Sequence, residues 1–233
     1  MSTFALVHGA WHGAWCWEKL TPELEARGHR VVAMDLPCDQ GSATFDDYAD
    51  VVCETLVDVP GTDLIVVGHS MAGLTIARVG ARRPLRRLVY LCGVPPIVGK
   101  TLAEQISEDG EMLDPGYLEG IGDKDSEGLR SWVDRDVAVR ILFGDCDDAT
   151  VAAAFARLRP QATYGYGIPY PHPQLPDVDS TYVLCTDDRL VNPDWSRRTA
   201  RERLQADLIE MPGSHSPFLS RPRDLAEVLH GLT

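Results

Sequence analysis

The feature that most constrains the fold of this chain is a repeated alternation between short apolar runs and amphipathic stretches. The apolar runs are mostly continuous and do not alternate with polar residues, which is typical of strands buried on both faces of a sheet. Six such runs occur, at 4–7, 30–36, 63–67, 87–92, 181–185 and 207–211. Because amphipathic helices separate most of them, the sequence predicts an α/β fold with a mostly parallel six-stranded sheet flanked by helices.

The helices that cover this sheet are predicted from their apolar periodicity and from their boundary residues. Thr44 is a typical N-cap residue, with two aspartates in the turn that follows it, and Gly28 is a typical helix stop. The predicted helical ranges are 17–27, 45–57, 71–82, 194–203 and 223–230.

The alternation of strands and helices breaks once, between about Val94 and Pro176. This stretch contains helical patterns at 131–142 and 149–157, followed by a segment rich in tyrosine and proline. It is too long for a simple crossover connection between two strands. We therefore predict one α/β core made of residues 1–93 and 177–233, with residues 94–176 inserted as a helical cap over one end of the sheet.

The composition disfavours several classes of function. Hydrophobic residues at 44% and charged residues at 24% are ordinary values for a globular domain. A formal net charge of −13 disfavours nucleic acids and anionic membrane surfaces, which bind clustered lysine and arginine. No apolar run reaches the ~18 residues of a membrane span, and the six cysteines are scattered without metal-ligand spacing. We expect a cytoplasmic protein that binds a small molecule, and no nucleic acid, membrane or metal.

The strongest chemical motif is GHSMAG at residues 68–73, directly after the third apolar run. A serine at the centre of such a strand-to-helix turn exposes its hydroxyl, and small neighbours permit the tight backbone. The common form of this motif has glycine at its fifth position, where this chain has Ala72. Alanine is small enough to pack there, so the motif predicts Ser70 as a nucleophile.

Two backbone amides are candidates for an oxyanion hole beside that serine. The helix that begins near Met71 leaves its first N–H groups unpaired and directs its positive dipole end at Ser70. The second donor should come from the loop HGAWHGAW after the first strand, where Gly9 permits a turn and Ala10 offers its N–H. The four-residue spacing of His8 and His12 would also suit a metal, but without a third ligand we favour polar packing of the loop.

The general base and its acid follow from position in the chain. His215 lies in PGSHS after the last strand and gives the order Ser…Asp…His. Each other histidine has a different place in the chain: His8 and His12 in the first loop, His29 before a strand, His69 inside the serine turn, His172 in the insert and His230 near the C-terminus. The acid should follow the preceding strand, where TDD offers Asp187 and Asp188. Neighbouring carboxylates diverge as a chain leaves a strand, so only one can face His215. We favour Asp188, because in the commonest form of this loop a two-residue turn after the strand, here after Cys185, precedes the acid.

The chain resembles a known family in four ordered motifs. LVHGAWHGAWCWEKL, GHSMAG, YVLCTDD and PGSHSPFLSRP look like the α/β-hydrolases grouped with plant methylesterases and hydroxynitrile lyases. The insert sequence FGDCDDATVAAAFARLRPQ looks like the bacterial members of that group. The resemblance implies the α/β-hydrolase fold, a helical cap and no cofactor. It also implies Ser70, Asp188 and His215 as the catalytic triad, with Ala10 and Met71 as oxyanion donors.

Three functions remain open on this evidence. The leading one is a serine esterase that forms an acyl-enzyme on Ser70. A lyase of the hydroxynitrile type would use the same triad for proton transfer, and a non-enzymatic small-molecule receptor could use the same fold. Side chains near the site either line an apolar substrate pocket or pack the cap on the core. The candidates for substrate binding are Gly9, Trp11, Trp132, Tyr164, Tyr166 and Tyr170.

Overall fold

The computed structural model describes residues 1–233 and contains one central parallel sheet. The strands are β1 (Thr3–Val7), β2 (Arg30–Met34), β3 (Leu64–His69), β4 (Arg87–Leu91), β5 (Leu129–Arg130), β6 (Gln161–Ala162), β7 (Ser180–Cys185) and β8 (Asp207–Met211). Six of them form the sheet, in the order β2-β1-β3-β4-β7-β8, and all neighbours are parallel. The predicted fold class is therefore confirmed, and all six predicted strands are present.

Helices cover the sheet and follow most of its strands. The helices are α1 (Thr21–Glu25), α2 (Phe45–Thr55), α3 (Ala72–Arg82), α4 (Leu102–Glu108), α5 (Arg135–Leu142), α6 (Asp148–Phe155), α7 (Pro193–Arg198), α8 (Pro217–Ser220) and α9 (Pro222–His230). Helix α2 begins at a complete capping box, in which Thr44 and Asp47 each accept a hydrogen bond from the other's backbone amide. No helix of the protein is long and apolar enough to cross a membrane.

Two of the predicted helices begin later in the structure than the sequence pattern indicates. Helix α1 begins at Thr21 because Pro22 in its first turn lacks an N–H and suits a helix start, and a separate 3₁₀ turn occupies Ala14–Trp17. Helix α5 begins at Arg135, where the Asp134 side chain accepts hydrogen bonds from two backbone amides. Before it, in the range predicted as helical, Trp132 forms an isolated antiparallel bridge with Ile121.

The core lies on both faces of the sheet, and its centre is formed by the three middle strands. Leu6, Val66 and Val89 are each fully buried, as the continuous apolar runs predict. Burial of a side chain of this size stabilises the fold by about 1.5–3 kcal/mol. Because all six strands are parallel, their carboxyl ends lie along one edge of the sheet, and the loops that leave this edge meet there.

The segment between β4 and β7 contains α4, α5, α6 and the antiparallel pair β5–β6. Two-residue strands are too short to produce a sequence pattern, so this pair was not predicted. The tyrosine- and proline-rich part is anchored through Arg78 of α3, whose buried guanidinium lies 5.1 Å from the Tyr170 ring and donates to Asp46 at 3.1 Å. Desolvation lowers the pKa of Arg78, and the neighbouring carboxylate opposes that change.

Candidate active site

Ser70 occupies a strained turn between β3 and α3. Its φ of +53° lies in the left-handed region, which a residue with a side chain adopts only when its surroundings hold it there. Three hydrogen bonds do so. The Ser70 amide donates to Leu91 O at 3.0 Å, and the Ser70 carbonyl accepts from the amides of Val94 at 2.9 Å and Gly73 at 3.0 Å. The turn is therefore fixed to the end of the adjacent strand.

The small residues of the turn are required by close packing. A Cβ at Gly68 would lie 2.7 Å from Ile76 Cγ2, and a Cβ at Gly73 would lie 2.5 Å from the Val94 carbonyl oxygen. Ala72, which stands where the common motif has glycine, fits with 2% of its surface exposed. The packing therefore accounts for the variant motif, because the position that excludes a side chain here is 73 and not 72.

His215 and Asp188 form a buried pair at the carboxyl ends of β8 and β7. His215 Nδ1 lies 2.8 Å from Asp188 Oδ2, and the other carboxylate oxygen accepts from the amides of Leu190 at 2.8 Å and Val191 at 3.0 Å. The neighbouring Asp187 accepts from the Gly213 amide instead, at 3.3 Å. The two carboxylates diverge, and Asp188 is the one that faces the histidine. This pairing leaves His215 Nε2 as the ring nitrogen that can accept a proton.

The loop that carries His215 contacts the serine turn through His69. His69 Nε2 lies 2.8 Å from the His215 carbonyl oxygen, and the centroids of the two imidazole rings are 4.6 Å apart. Because a carbonyl can only accept, His69 Nε2 must carry the proton. Burial lowers the pKa of His69 well below its usual value, so this ring stays neutral. Ser70 Oγ forms no hydrogen bond in this structure. The hydrogen bond between a nucleophile and its general base commonly tightens only when substrate binds.

Two free backbone amides lie beside Ser70. Neither the Ala10 N–H nor the Met71 N–H donates to any acceptor in the chain, and both residues line the same cavity as Ser70. The loop that carries Ala10 approaches the serine closely, because a Cβ at Gly9 would lie 2.9 Å from Ser70 Cβ. Trp11 holds this loop in place at a φ of +61°, with its ring nitrogen 3.0 Å from the Arg130 carbonyl oxygen.

A cavity of about 310 Å³ opens above Ser70 at this edge of the sheet. Its walls are mainly hydrophobic, as in most small-molecule sites. The lining residues come from the core loops and from the segment after β4. From the core they are Ala10, Trp11, Ser70, Met71 and Leu190. From the inserted segment they include Val94, Leu102, Ile106, Leu113, Tyr117, Ile121, Lys124, Arg130, Thr163 and Tyr166.

Three of the aromatic side chains predicted to bind substrate lie outside this cavity. Trp132 packs behind Trp11 at 5.7 Å and does not line the space. Tyr164 is 57% exposed, and Tyr170 is buried against the Arg78 guanidinium. The prediction that these three rings line the pocket is corrected here. Each was proposed because an aromatic ring in the insert could line an apolar pocket. Tyr170 packs instead against the Arg78 guanidinium, and Trp132 packs against the Trp11 indole.

Of the predicted binding residues, Trp11 and Tyr166 do line the cavity, and Gly9 lies directly against the serine. The sequence analysis missed Tyr117, Lys124 and Arg130, which also line it. Because the spacing of these three residues is irregular, no sequence pattern marked them as lining residues. Their place in the insert was the only available signal.

The histidines of the first loop pack and do not form a metal site. His8 Nδ1 lies 2.9 Å from Gly9 O and His12 Nδ1 lies 2.8 Å from Ala10 O. Burial lowers the pKa of His8 to about 4 and that of His12 to about 3. The one group with metal-like spacing is Cys92, Asp188 and His215, whose ligand atoms lie within 4.8 Å of one another. There Asp188 and His215 already bond to each other, and hydrogen bonding to Cys185 and burial raise the pKa of the Cys92 thiol, which opposes thiolate ligation.

A parallel sheet with a strained serine at one strand end, and a histidine–carboxylate pair at two others, defines the class of the α/β-hydrolases. The family model described as "Alpha/beta hydrolase family" matches residues 4–228. The chain belongs to this family.

Named relatives are consistent with the resemblance found in the motifs. Methylesterase 2 of Arabidopsis thaliana is 27% identical over 97% of this chain and 94% of its own length. Methyl jasmonate esterase 1 of Vitis vinifera is 26% identical over 97% of this chain and 94% of its own. The crystal structure of a pyrethroid hydrolase from Sphingobium faniae JZ-2 is 26% identical, with a TM-score of 0.82 over 99% of this chain and 96% of that one. The predicted plant methylesterase group is confirmed, and these relatives are two esterases and a hydrolase by name.

Proposed function

We propose that this protein hydrolyses a small carboxylic ester through an acyl-enzyme on Ser70, with His215 as the general base and Asp188 as its orienting acid. The observation that carries the proposal is the strained Ser70 turn at the base of an apolar cavity, next to two amides without acceptors. A strained turn of this kind costs about 1–3 kcal/mol and is retained where it exposes a reactive group.

The first half of the reaction acylates the serine. His215 Nε2 takes the proton from Ser70 Oγ as that oxygen attacks the ester carbonyl carbon. The carbonyl oxygen becomes negatively charged and accepts hydrogen bonds from the Ala10 and Met71 amides, a contribution of about 3–4 kcal/mol per donor in other hydrolases. The tetrahedral intermediate then expels the alcohol, which receives the proton from His215.

The second half removes the acyl group. A water molecule gives its proton to His215 Nε2 and attacks the acyl carbon, and the same two amides stabilise the second oxyanion. Ser70 leaves with the proton and the carboxylic acid product is released. Throughout, Asp188 accepts a hydrogen bond from the Nδ1–H of His215, so that Nε2 stays available and the imidazolium is stabilised.

The inserted segment, residues 94–176, acts in this proposal as the cap that selects the substrate. It supplies most of the apolar wall above Ser70, including Leu102, Ile106 and Tyr117. The catalytic groups come from the core loops, so the chemistry and the choice of substrate reside in different parts of the chain.

The test is the Ser70→Ala variant assayed with a short phenyl ester. Turnover should fall by about 10⁴–10⁶-fold while the circular dichroism spectrum is unchanged, because the nucleophile is removed without a change in packing volume. Ser42→Ala, which removes an exposed hydroxyl, is the matched control and should keep full activity. A fluorophosphonate probe should label the wild type and the control but not Ser70→Ala. Residual activity within tenfold of the wild type would remove Ser70 from the role of nucleophile.

A further inference from the structure

The charged residues of the cavity are unusual for this chain. The protein has 35 acidic and 22 basic residues, yet no aspartate or glutamate lines the cavity above Ser70. Two cations line it, Lys124 and Arg130. An otherwise apolar site with two positive charges and no negative one is complementary to an anionic ligand.

Arg130 directs its charge toward the cavity. Its Nε donates to Gly122 O at 2.9 Å, which fixes the side chain, and the terminal nitrogens form no ion pair with any carboxylate. The pKa values of Tyr117 and Tyr166 are both raised by burial, and in both cases the positive charge of Arg130 opposes the rise. Both rings line the cavity, so the guanidinium is close enough to act on groups inside it.

Lys124 is exposed at the mouth of the same cavity and also forms no ion pair. Its neighbour Asp125 does not neutralise it. One Asp125 carboxylate oxygen accepts from the amides of Glu127 and Leu129, both at 2.9 Å, which turns the group into its own loop. Most other arginines of the chain are paired with carboxylates, whereas these two cations at one opening form no ion pair.

We propose that the substrate is a monoester of a dicarboxylic acid, whose free ionised carboxylate Arg130 and Lys124 bind while the ester carbonyl lies at Ser70. This inference rests on the proposed esterase function and specifies its substrate class. The apolar walls between Ser70 and the two cations would hold a hydrocarbon spacer. Hydrolysis consumes one water and yields the alcohol, the dicarboxylate and one proton.

A carboxylate suits this pair of cations because a planar guanidinium binds it with two parallel hydrogen bonds. Arg130 is only partly exposed, so its contribution is screened less than that of Lys124 at the rim. We therefore expect Arg130 to determine most of the preference, and Lys124 to add a smaller effect that depends on salt.

The experiment compares two series of methyl esters. One series contains the monomethyl esters of linear dicarboxylic acids, and the other contains the uncharged methyl esters of monocarboxylic acids of equal chain length. The wild type should show the higher kcat/KM on the charged series at its best chain length. Arg130→Gln should lower kcat/KM for that ester by about tenfold, mainly through KM, and should affect the uncharged ester of equal length much less. Lys124→Met should lower kcat/KM for the charged ester by about threefold. Added salt should weaken the preference of the wild type for the charged series.

The matched control is Arg30→Gln, which removes one exposed cation at the amino end of β2, on the opposite edge of the sheet. It should leave both series unchanged. Lys124→Glu tests the idea without touching the interior, and it should lower activity on the charged series further than Lys124→Met. Equal or better activity of the wild type on the uncharged series, or equal losses on both series in the Arg130 and Lys124 variants, would overturn the proposal. Loss of the esterase function itself would show separately, as the absence of Ser70-dependent turnover on any ester.

Discussion

At the scale of single residues, the pair Asp187 and Asp188 shows how adjacent identical side chains take different roles. Asp188 Oδ1 is held by two backbone amides, which leaves Oδ2 directed at His215, while Asp187 binds the Gly213 amide. The turn after β7 produces this divergence, since the Asp188 amide donates back to Cys185 O at 3.3 Å.

We expect Asp188→Asn to lower turnover by about 10⁴-fold, because an amide in this position favours the wrong imidazole tautomer and does not stabilise the imidazolium. Asp187→Asn is the control for the same loop and should lower turnover by less than threefold. The measurement is kcat on one phenyl ester for both variants. If Asp187→Asn proved to be the severe variant, the assignment of the acid would be wrong by one residue.

Gly9 and Ser216 bear on the choice between ester hydrolysis and cyanohydrin cleavage. The lyases that this chain resembles have a threonine where this chain has Gly9 and a lysine where it has Ser216. Here a Cβ at Gly9 would lie 2.9 Å from His69 O, so a larger side chain would require the turn to move. Ser216 is fully buried and its hydroxyl has no hydrogen-bond partner, so this position offers no positive charge to a departing cyanide.

The expected result is therefore rapid turnover of a phenyl ester and no cyanide release from mandelonitrile above background, assayed on one batch of enzyme. A neutral hydroxyl would offer a departing anion about half the stabilisation of a charged donor. Cyanide release as fast as ester turnover, and absent from Ser70→Ala, would reverse the assignment in favour of the lyase.

At the scale of the elements, the segment between β4 and β7 forms one wall of the site through a few positions only. Tyr166 and Tyr164 lie in the same 3₁₀ turn, Tyr164–Gly167, yet they have different surroundings. Tyr166 lines the cavity and stacks on Phe45 with ring centroids 6.1 Å apart. Tyr164 is exposed to solvent.

This turn supplies a matched pair of variants. Tyr166→Leu should change the relative kcat/KM across a panel of esters of increasing acyl size, because it removes part of the wall. Tyr164→Leu should leave the order of preference unchanged. An unchanged order in both variants would show that Tyr166 only packs the segment on the core.

At the scale of the whole molecule, buried neutral histidines link stability to pH. In the unfolded chain His8 and His12 take up protons near the usual pKa of 6.5. In the folded protein, burial lowers the pKa of His8 to about 4 and that of His12 to about 3. The unfolded state thus binds more protons between these values, so stability rises with pH there and is lost on acidification. Both histidines lie in the loop that carries Ala10, so acid should weaken this end of the sheet.

We expect the free energy of unfolding to fall between pH 7 and pH 4.5, by on the order of 2 kcal/mol for each histidine. Urea unfolding at a series of pH values measures this free energy. His12→Phe keeps an aromatic ring between Trp15 and Phe218 and should reduce the slope of the free energy of unfolding against pH. His172→Gln leaves His8 and His12 in place and is the control. An equal slope in the wild type and His12→Phe would contradict the prediction.

The sequence by itself determined the sheet, its helices and the family. Continuous apolar runs must be buried on both faces, and a boundary residue such as Thr44 or Gly28 acts within its own turn, so these signals are local. The positions of Ser70, Asp188 and His215 were also predictable, because each follows a strand of the parallel sheet, and the carboxyl ends of these strands share one edge. Their roles in catalysis remain a prediction.

Only the tertiary structure decided which residues of the insert face the serine. Tyr166 lines the cavity and Tyr170 does not, because the buried Arg78 guanidinium lies against the ring of Tyr170. Arg130 and Trp132 sit two residues apart, yet one directs its charge to the cavity and the other packs behind Trp11. These outcomes depend on contacts between segments far apart in the chain, and no local pattern records such contacts. The catalytic loops follow regular strands, whereas the insert is irregular, which is the physical reason that its residues could not be assigned from the sequence.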